Sequence, residues 1–124
     1  MSKNKQGFSL RARLASIKDA MAGIGQLLKN EHNSRVHLLA TVIVIWLGVY
    51  HQITRIEWGL LFIVVTLVWM AEAFNTALEY LCDRVSPEHN ELIGLAKDMA
   101  AAAVLISAIG AVLVGGLVFI PYLL

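Results

Sequence analysis

The chain has 124 residues, 58% of them hydrophobic and 15% charged, with a formal net charge of +1 and a mean hydropathy of +0.69. That is more apolar and less charged than a water-soluble domain of this length, so an ordinary soluble fold is excluded and one membrane-embedded, all-α domain over residues 1–124 is expected. The small net charge hides segregated charges and points to no nucleic-acid partner, and the single cysteine, Cys82, rules out an intrachain disulfide and reads as a small apolar filler.

The basic N-terminal segment is not followed by a short apolar core with a cleavage site, so it does not read as a signal peptide. Leu14, Ile17, Met21, Ile24 and Leu28 recur at helical spacing with Arg11, Arg13, Lys18 and Lys29 among them. This pattern predicts an amphipathic helix over about 8–30, lying on a membrane surface or packed against the membrane helices. Gly23 and Gly25 weaken it slightly and leave room for a close neighbour.

Three membrane spans follow, at about 36–54, 58–80 and 97–121. Residues 36–54 carry no Lys, Arg, Asp or Glu and are long enough to cross ~30 Å of hydrocarbon. The charge-free run from Trp58 to Ala71 supplies only about two-thirds of a crossing, so the second span must continue through Glu72 and Asn75. Met99 to Leu124 is charge-free and carries Pro121 near its end. Between the second and third spans, Ser86 and Pro87 read as a helix cap with proline in the first helical position and Glu88 in the first turn. Ala100 to Ala103 then present small side chains suited to close helix packing.

Lys3, Lys5, Arg11, Arg13, Lys18, Lys29 and Arg35 all precede the first span, and Arg55 alone lies between the first two. The positive-inside rule puts the N-terminus and the 81–97 loop in the cytoplasm. Trp46, Trp58, Trp69 and Tyr50 read as interface anchors or lipid-facing packing, and His32, His37, His51 and His89 lack metal-site spacing and read as interfacial.

The polar residues of the second span are the chemical signal. Glu72, Asn75, Glu79 and Asp83 fall within a stripe roughly 80° wide on one helical face. A carboxylate at mid-helix costs ~2.5–3.5 kcal/mol to insert, so intramembrane acids mark function by default. Six of the nine acids lie between Glu72 and Asp98. Glu79 and Glu31 stand near the cytoplasmic interface, where carboxylates can hold Mg²⁺ together with phosphate and water oxygens. Glu72 lies deeper, and partial desolvation makes a carboxylate a stronger base. Lys97 can neutralise phosphate as a point cation. These are parts that phosphoryl transfer uses, yet no P-loop, kinase loop or zinc motif is present. From the residues alone the alternatives stay open: helix-to-helix polar contacts, a cation-coupled transporter subunit, or a lipid-sensing assembly subunit.

The stretch AEAFNTALEYLCDRVSPEHNELIGLAKDMAAAAV (Ala71 to Val104) fits the pattern E-x-x-N-[ST]-A-[IL]-E-x-x-x-D followed by A-K-D, and KNEHNSRVH (Lys29 to His37) adds an upstream N-E element. Through these motifs the chain resembles the small bacterial integral-membrane lipid kinases, the diacylglycerol kinase and undecaprenol kinase family, from about Gly7 through the third span. The resemblance implies a homotrimer with sites between protomers in the bacterial inner membrane, ATP with Mg²⁺ as donor, and a lipid alcohol as acceptor. By position it gives Glu72 as the catalytic base, Glu31 and Glu79 as the metal pair, and Asn75, Asn33 and Arg35 as polar support. Asp83, Glu88, His89, Asn90, Lys97 and Asp98 fall where the family contacts nucleotide. The segments H-N-S-R-V-H, I-E-W and S-P-E-H resemble the Gram-positive type, which favours undecaprenol over diacylglycerol as acceptor.

Overall fold

A computed structural model describes residues 7–88 and 90–124, without the Asn30 side chain; Lys3, Lys5 and His89 lie outside these described residues. Among them the chain is all-helical: α1 (Leu10–Asn30), α2 (His32–His51), α3 (Arg55–Val85) and α4 (Glu91–Leu123). The last three are long and apolar enough to cross a membrane.

α1 starts where Ser9 accepts the Ala12 N–H on its hydroxyl and ends at Glu31, which takes extended backbone before α2 begins. Leu27 is buried at its C-terminal end, where α1 meets Ala73, Thr76 and Ala77 of α3. Leu14, Ile17 and Met21 stay about 60% exposed, so most of the apolar stripe is uncovered within the chain. A Cβ at Gly23 or Gly25 would meet nothing within 4 Å, so the close neighbour expected there is not found among the described residues.

The helices outrun the predicted spans because hydropathy locates hydrocarbon, whereas helices persist into polar sequence. α3 and α4, with 31 and 33 residues, are about 46 and 50 Å long, well beyond a ~30 Å hydrocarbon slab. α2 instead stops before residue 54. Gln52 takes left-handed backbone at φ 51° and closes α2 by donating its N–H to Gly48 and Val49 carbonyls. Thr54 and Glu57 then open α3 with a reciprocal capping box, a T-x-x-E signal readable in the sequence. The cap expected at Ser86–Pro87 is also corrected. Ser86 ends α3, and Asn90 caps α4 by accepting the Leu92 and Ile93 N–H groups. Asparagine is among the strongest N-caps, and it leaves Glu91, not Glu88, in the first turn.

α4 packs along α3 as a long antiparallel hairpin, and α2 leans against the pair. One end of the hairpin is firmly closed. Ile53, Leu61, Val118 and Phe119 form a buried cluster with Val44, Leu47, Trp58 and Val114 around it. Tyr122 donates its hydroxyl to Glu57 Oε1, which also accepts the Thr54 N–H. Gly48 lets the Trp58 ring approach, since a Cβ there would lie 2.5 Å from the ring. The chain as a whole exposes 9718 Å², against ~6,600 Å² for a compact soluble protein of this mass.

A non-glycine residue in left-handed backbone costs about 1 kcal/mol. Gln52→Gly is therefore expected to raise stability by about that amount, read as a higher thermal midpoint in detergent. An unchanged or lower midpoint would contradict the role assigned to this turn.

Candidate functional site

At the opposite end from the Thr54–Glu57–Tyr122 clamp, α2, α3 and α4 enclose a cleft of about 320 Å³ lined by Asn33, His37, Glu72, Asn75 and Glu79 with Ala101 and Ala108. The 3.6-residue period of α3 puts Glu72, Asn75 and Glu79 on its inner face, and α4 offers small side chains opposite. Glu72 is 1% exposed. Its Oε1 accepts a long hydrogen bond from Thr76 Oγ1 at 3.5 Å. Its Oε2 has no hydrogen-bond partner and lies 3.4 Å from His37 Nε2. Asn75 donates through Nδ2 to Glu79 Oε1 at 3.0 Å, leaving its own Oδ1 buried and unpaired. Buried oxygens without donors cost free energy unless a ligand meets them. Both face a cleft with room for one.

A second, apolar groove of about 370 Å³ continues from this cleft, and the two share Val36, His37 and Ala108. It runs past Val44, Leu61, Val65, Val112 and Gly115 toward the closed end. One wall of both cavities is a single stripe of α2 (Asn33, Val36, His37, Ala40, Thr41 and Val44), all at helical three-four spacing.

The predicted residues separate into groups. Glu72, Asn75, Glu79 and Asn33 share the cleft. Glu31 does not line it; it sits at the α1–α2 junction and accepts the Tyr80 hydroxyl at 3.0 Å. Asp83 and Lys97 form an exposed ion pair at 2.5 Å, joining α3 to α4. Arg35 donates to the Lys29 carbonyl, a contact that ties α2 to the end of α1 and does not reach the cleft. Asn90 caps α4, Glu88 is exposed beside the Ser86 hydroxyl, and Asp98 is exposed.

His37 is the main correction. Beyond the interfacial reading, it is part of the cleft wall, with its ring edge-on to Trp69 at 6.1 Å. Trp69 donates its indole N–H to Thr41 Oγ1, and Thr41 in turn donates to the His37 carbonyl. The contacts of Trp69 with His37 and Thr41 cross between helices, which one-helix periodicity cannot report. The stripe of α2 that holds Asn33 and His37 was the available signal. Ser34, fully buried with an unpaired hydroxyl oxygen, was also missed.

Among the described residues no three His, Cys, Asp or Glu side chains gather into a metal site. Mg²⁺ needs fewer: one or two carboxylates suffice when phosphate and water oxygens complete the octahedron. Glu79 and the unpaired oxygen of Asn75 are donors of the right class, so the cleft fits such an ion when phosphate accompanies it.

Comparison with known proteins identifies the family. A family model described as prokaryotic diacylglycerol kinase matches residues 18–119. The chain is 38% identical over 112 residues to a diacylglycerol kinase of Synechocystis, an alignment covering 90% of this chain and 64% of that relative. It is 32% identical over 108 residues to an undecaprenol kinase of Bacillus subtilis, covering 87% and 88%. It is 50% identical over 76 residues to a diacylglycerol kinase of Escherichia coli, covering 61% and 59%. The chain thus spans less than two-thirds of the length of the first and third of these relatives. With the family match running through all three membrane helices and the acidic cleft, the chain belongs to the prokaryotic diacylglycerol kinase family.

Proposed function

We propose that the chain transfers the γ-phosphoryl group of ATP, in the presence of Mg²⁺, to the hydroxyl of a membrane lipid alcohol. The observation that carries this reading is the position of Glu72. A carboxylate 1% exposed, with one oxygen unpaired, stands where a polar cleft meets an apolar groove. An amphiphile with one hydroxyl matches that junction, its head in the cleft and its hydrocarbon in the groove.

In this reading Glu72 accepts the hydroxyl proton as the acceptor oxygen attacks phosphorus. Thr76 holds one carboxylate oxygen and leaves the other to the cleft. Asn75 fixes Glu79, and Glu79 with the unpaired Asn75 oxygen would hold the Mg²⁺ in the cleft; Glu31, the second metal acid of the family pattern, is bonded to Tyr80 outside the cleft and would have to turn toward it to join them. When bound, the ion neutralises phosphate charge and orients its oxygens. Lys97, held by Asp83, brings a cation to the same end of the bundle. Asn33 lines the acceptor side, and Glu88, His89, Asn90 and Asp98 complete the nucleotide side proposed from the family pattern.

Undecaprenol is the acceptor we favour, supported by the alignment with the undecaprenol kinase along most of both chains. Diacylglycerol is the second reading, supported by the higher identity to the E. coli diacylglycerol kinase over a shorter stretch. We further propose a homotrimer with sites completed between protomers and the cleft facing the cytoplasm. The large exposed apolar surface supports the first, and Arg11, Arg13, Lys18, Lys29 and Arg35, all placed before or at the start of α2, support the second.

The test is transfer of label from γ-labelled ATP to undecaprenol and diacylglycerol in parallel mixed micelles. Transfer to one lipid at clearly higher kcat/KM names the acceptor; transfer to neither by folded protein overturns the kinase reading. Glu72→Gln is expected to lower turnover by ~10²–10⁴, and near-normal turnover would remove Glu72 from the role of base. Because Glu72 leaves a buried oxygen unpaired, Glu72→Met is expected to stabilise the fold by roughly 1–3 kcal/mol, read by thermal unfolding; destabilisation would show that the oxygen is satisfied. Gly115 has open space at its Cβ, so Gly115→Leu is expected to fill the groove without unfolding the bundle. It should depress turnover of long-chain acceptors more than of short-chain diglycerides, and an equal effect on both would place the tail elsewhere.

A further inference from the structure

We propose that His37 is the proton outlet of Glu72, resetting the buried base after each turnover. The inference rests on the reading of Glu72 as the base. Phosphorylating a neutral alcohol releases a proton: the acceptor O–H bond breaks and its proton goes to Glu72. The acceptor oxygen bonds to the γ-phosphorus, and the bond from that phosphorus to its bridging oxygen breaks, its electron pair leaving on the nucleoside diphosphate. Glu72 is then a neutral acid, 1% exposed, and must lose the proton before it can act again.

Among the described residues its unpaired oxygen has one titratable neighbour in contact. Oε2 lies 3.4 Å from His37 Nε2, and the His37 side chain is 16% exposed where that of Glu72 is 1%. A shift of about 0.5 Å makes this contact a hydrogen bond, the tightening expected when a cleft fills. The proton passes from the Glu72 carboxyl to the lone pair of Nε2 in the neutral imidazole, and the resulting imidazolium gives a proton to water in the cleft. Imidazole suits the task because one ring nitrogen can accept a proton while the other gives one up.

The other groups facing His37 do not offer this path. Thr76 touches the opposite carboxylate oxygen and is a hydroxyl that stays neutral. Along the same cleft α3 presents Asn75, which does not titrate, and Glu79, which is bonded to Asn75. α4 presents Ala101, Val104, Leu105 and Ala108, and α2 adds Asn33 and Val36. Trp69 packs edge-on against the ring and is itself fixed by donating to Thr41, which donates to the His37 main-chain carbonyl. His37 therefore acts through Glu72, as a positioning residue that also carries the proton.

The experiment compares wild type, Glu72→Gln, His37→Ala and His37→Gln in the lipid phosphorylation assay from pH 5.5 to 8.5, with and without added imidazole. His37→Ala should lower kcat by roughly 10²-fold while the KM values for ATP and lipid change little. Imidazole should restore its rate in proportion to the free-base concentration and leave wild type unaffected. His37→Gln should be slow, lack the acid limb of the wild-type pH profile, and gain nothing from imidazole. Either variant with wild-type kcat and pH profile overturns the proposal. So does a slow His37→Ala that elutes and melts as folded protein yet is not rescued. Should His37→Ala not fold, the pH profile of His37→Gln decides alone, a retained limb overturning the relay. An inactive wild type, or an active Glu72→Gln, would overturn the base reading itself, a result distinct from failure of the relay alone.

Discussion

Everything at the site end depends on the burial of one carboxylate inside a membrane helix. Glu72 is carried to its place by α3, whose apolar stretch is too short to cross without it. The helix therefore cannot avoid taking an acid into the bilayer region, and the neighbouring helices must make that tolerable. They do so incompletely. Thr76 meets one oxygen at long range, and the other is left unpaired beside His37. An incompletely satisfied group within a packed bundle is a cost the fold retains, and such costs concentrate where chemistry happens.

The two ends of the α3–α4 hairpin divide the labour. At one end an aliphatic and aromatic cluster, a capping box and the Tyr122–Glu57 hydrogen bond fix the helices together. At the other, alanines on α4 keep the helices close without filling the space between them, and polar residues of α2 and α3 take the opening. The apolar groove links the two regions along the length of the hairpin.

Much of this was legible in the sequence for a simple reason. Residues that act together on one helix are bound by its 3.6-residue period, so Glu72, Asn75 and Glu79 could be grouped from spacing alone. The charge-free runs likewise gave the number of spans. What depends on contact between helices was not legible. His37 meets Glu72, Trp69 meets Thr41 and Lys97 meets Asp83 only once α2, α3 and α4 are assembled. Local signals were sometimes present but outcompeted in the reading. Thr54 and Glu57 spelled a capping box, and Asn90 was a better cap than Ser86 because its side chain reaches two free N–H groups.

The clamp at the closed end also sets the mechanics of the molecule. Glu72 stands fifteen residues from Glu57 along α3, about 22 Å of helix. The hairpin is tied again at its far end, by the short connection from Val85 to Glu91 and by the Asp83–Lys97 pair. Glu72 therefore rides on a stretch of α3 held on both sides, and a helix anchored on both sides of a buried charge resists bending there. The cleft is a standing feature of the bundle, and what enters it must fit the space already present.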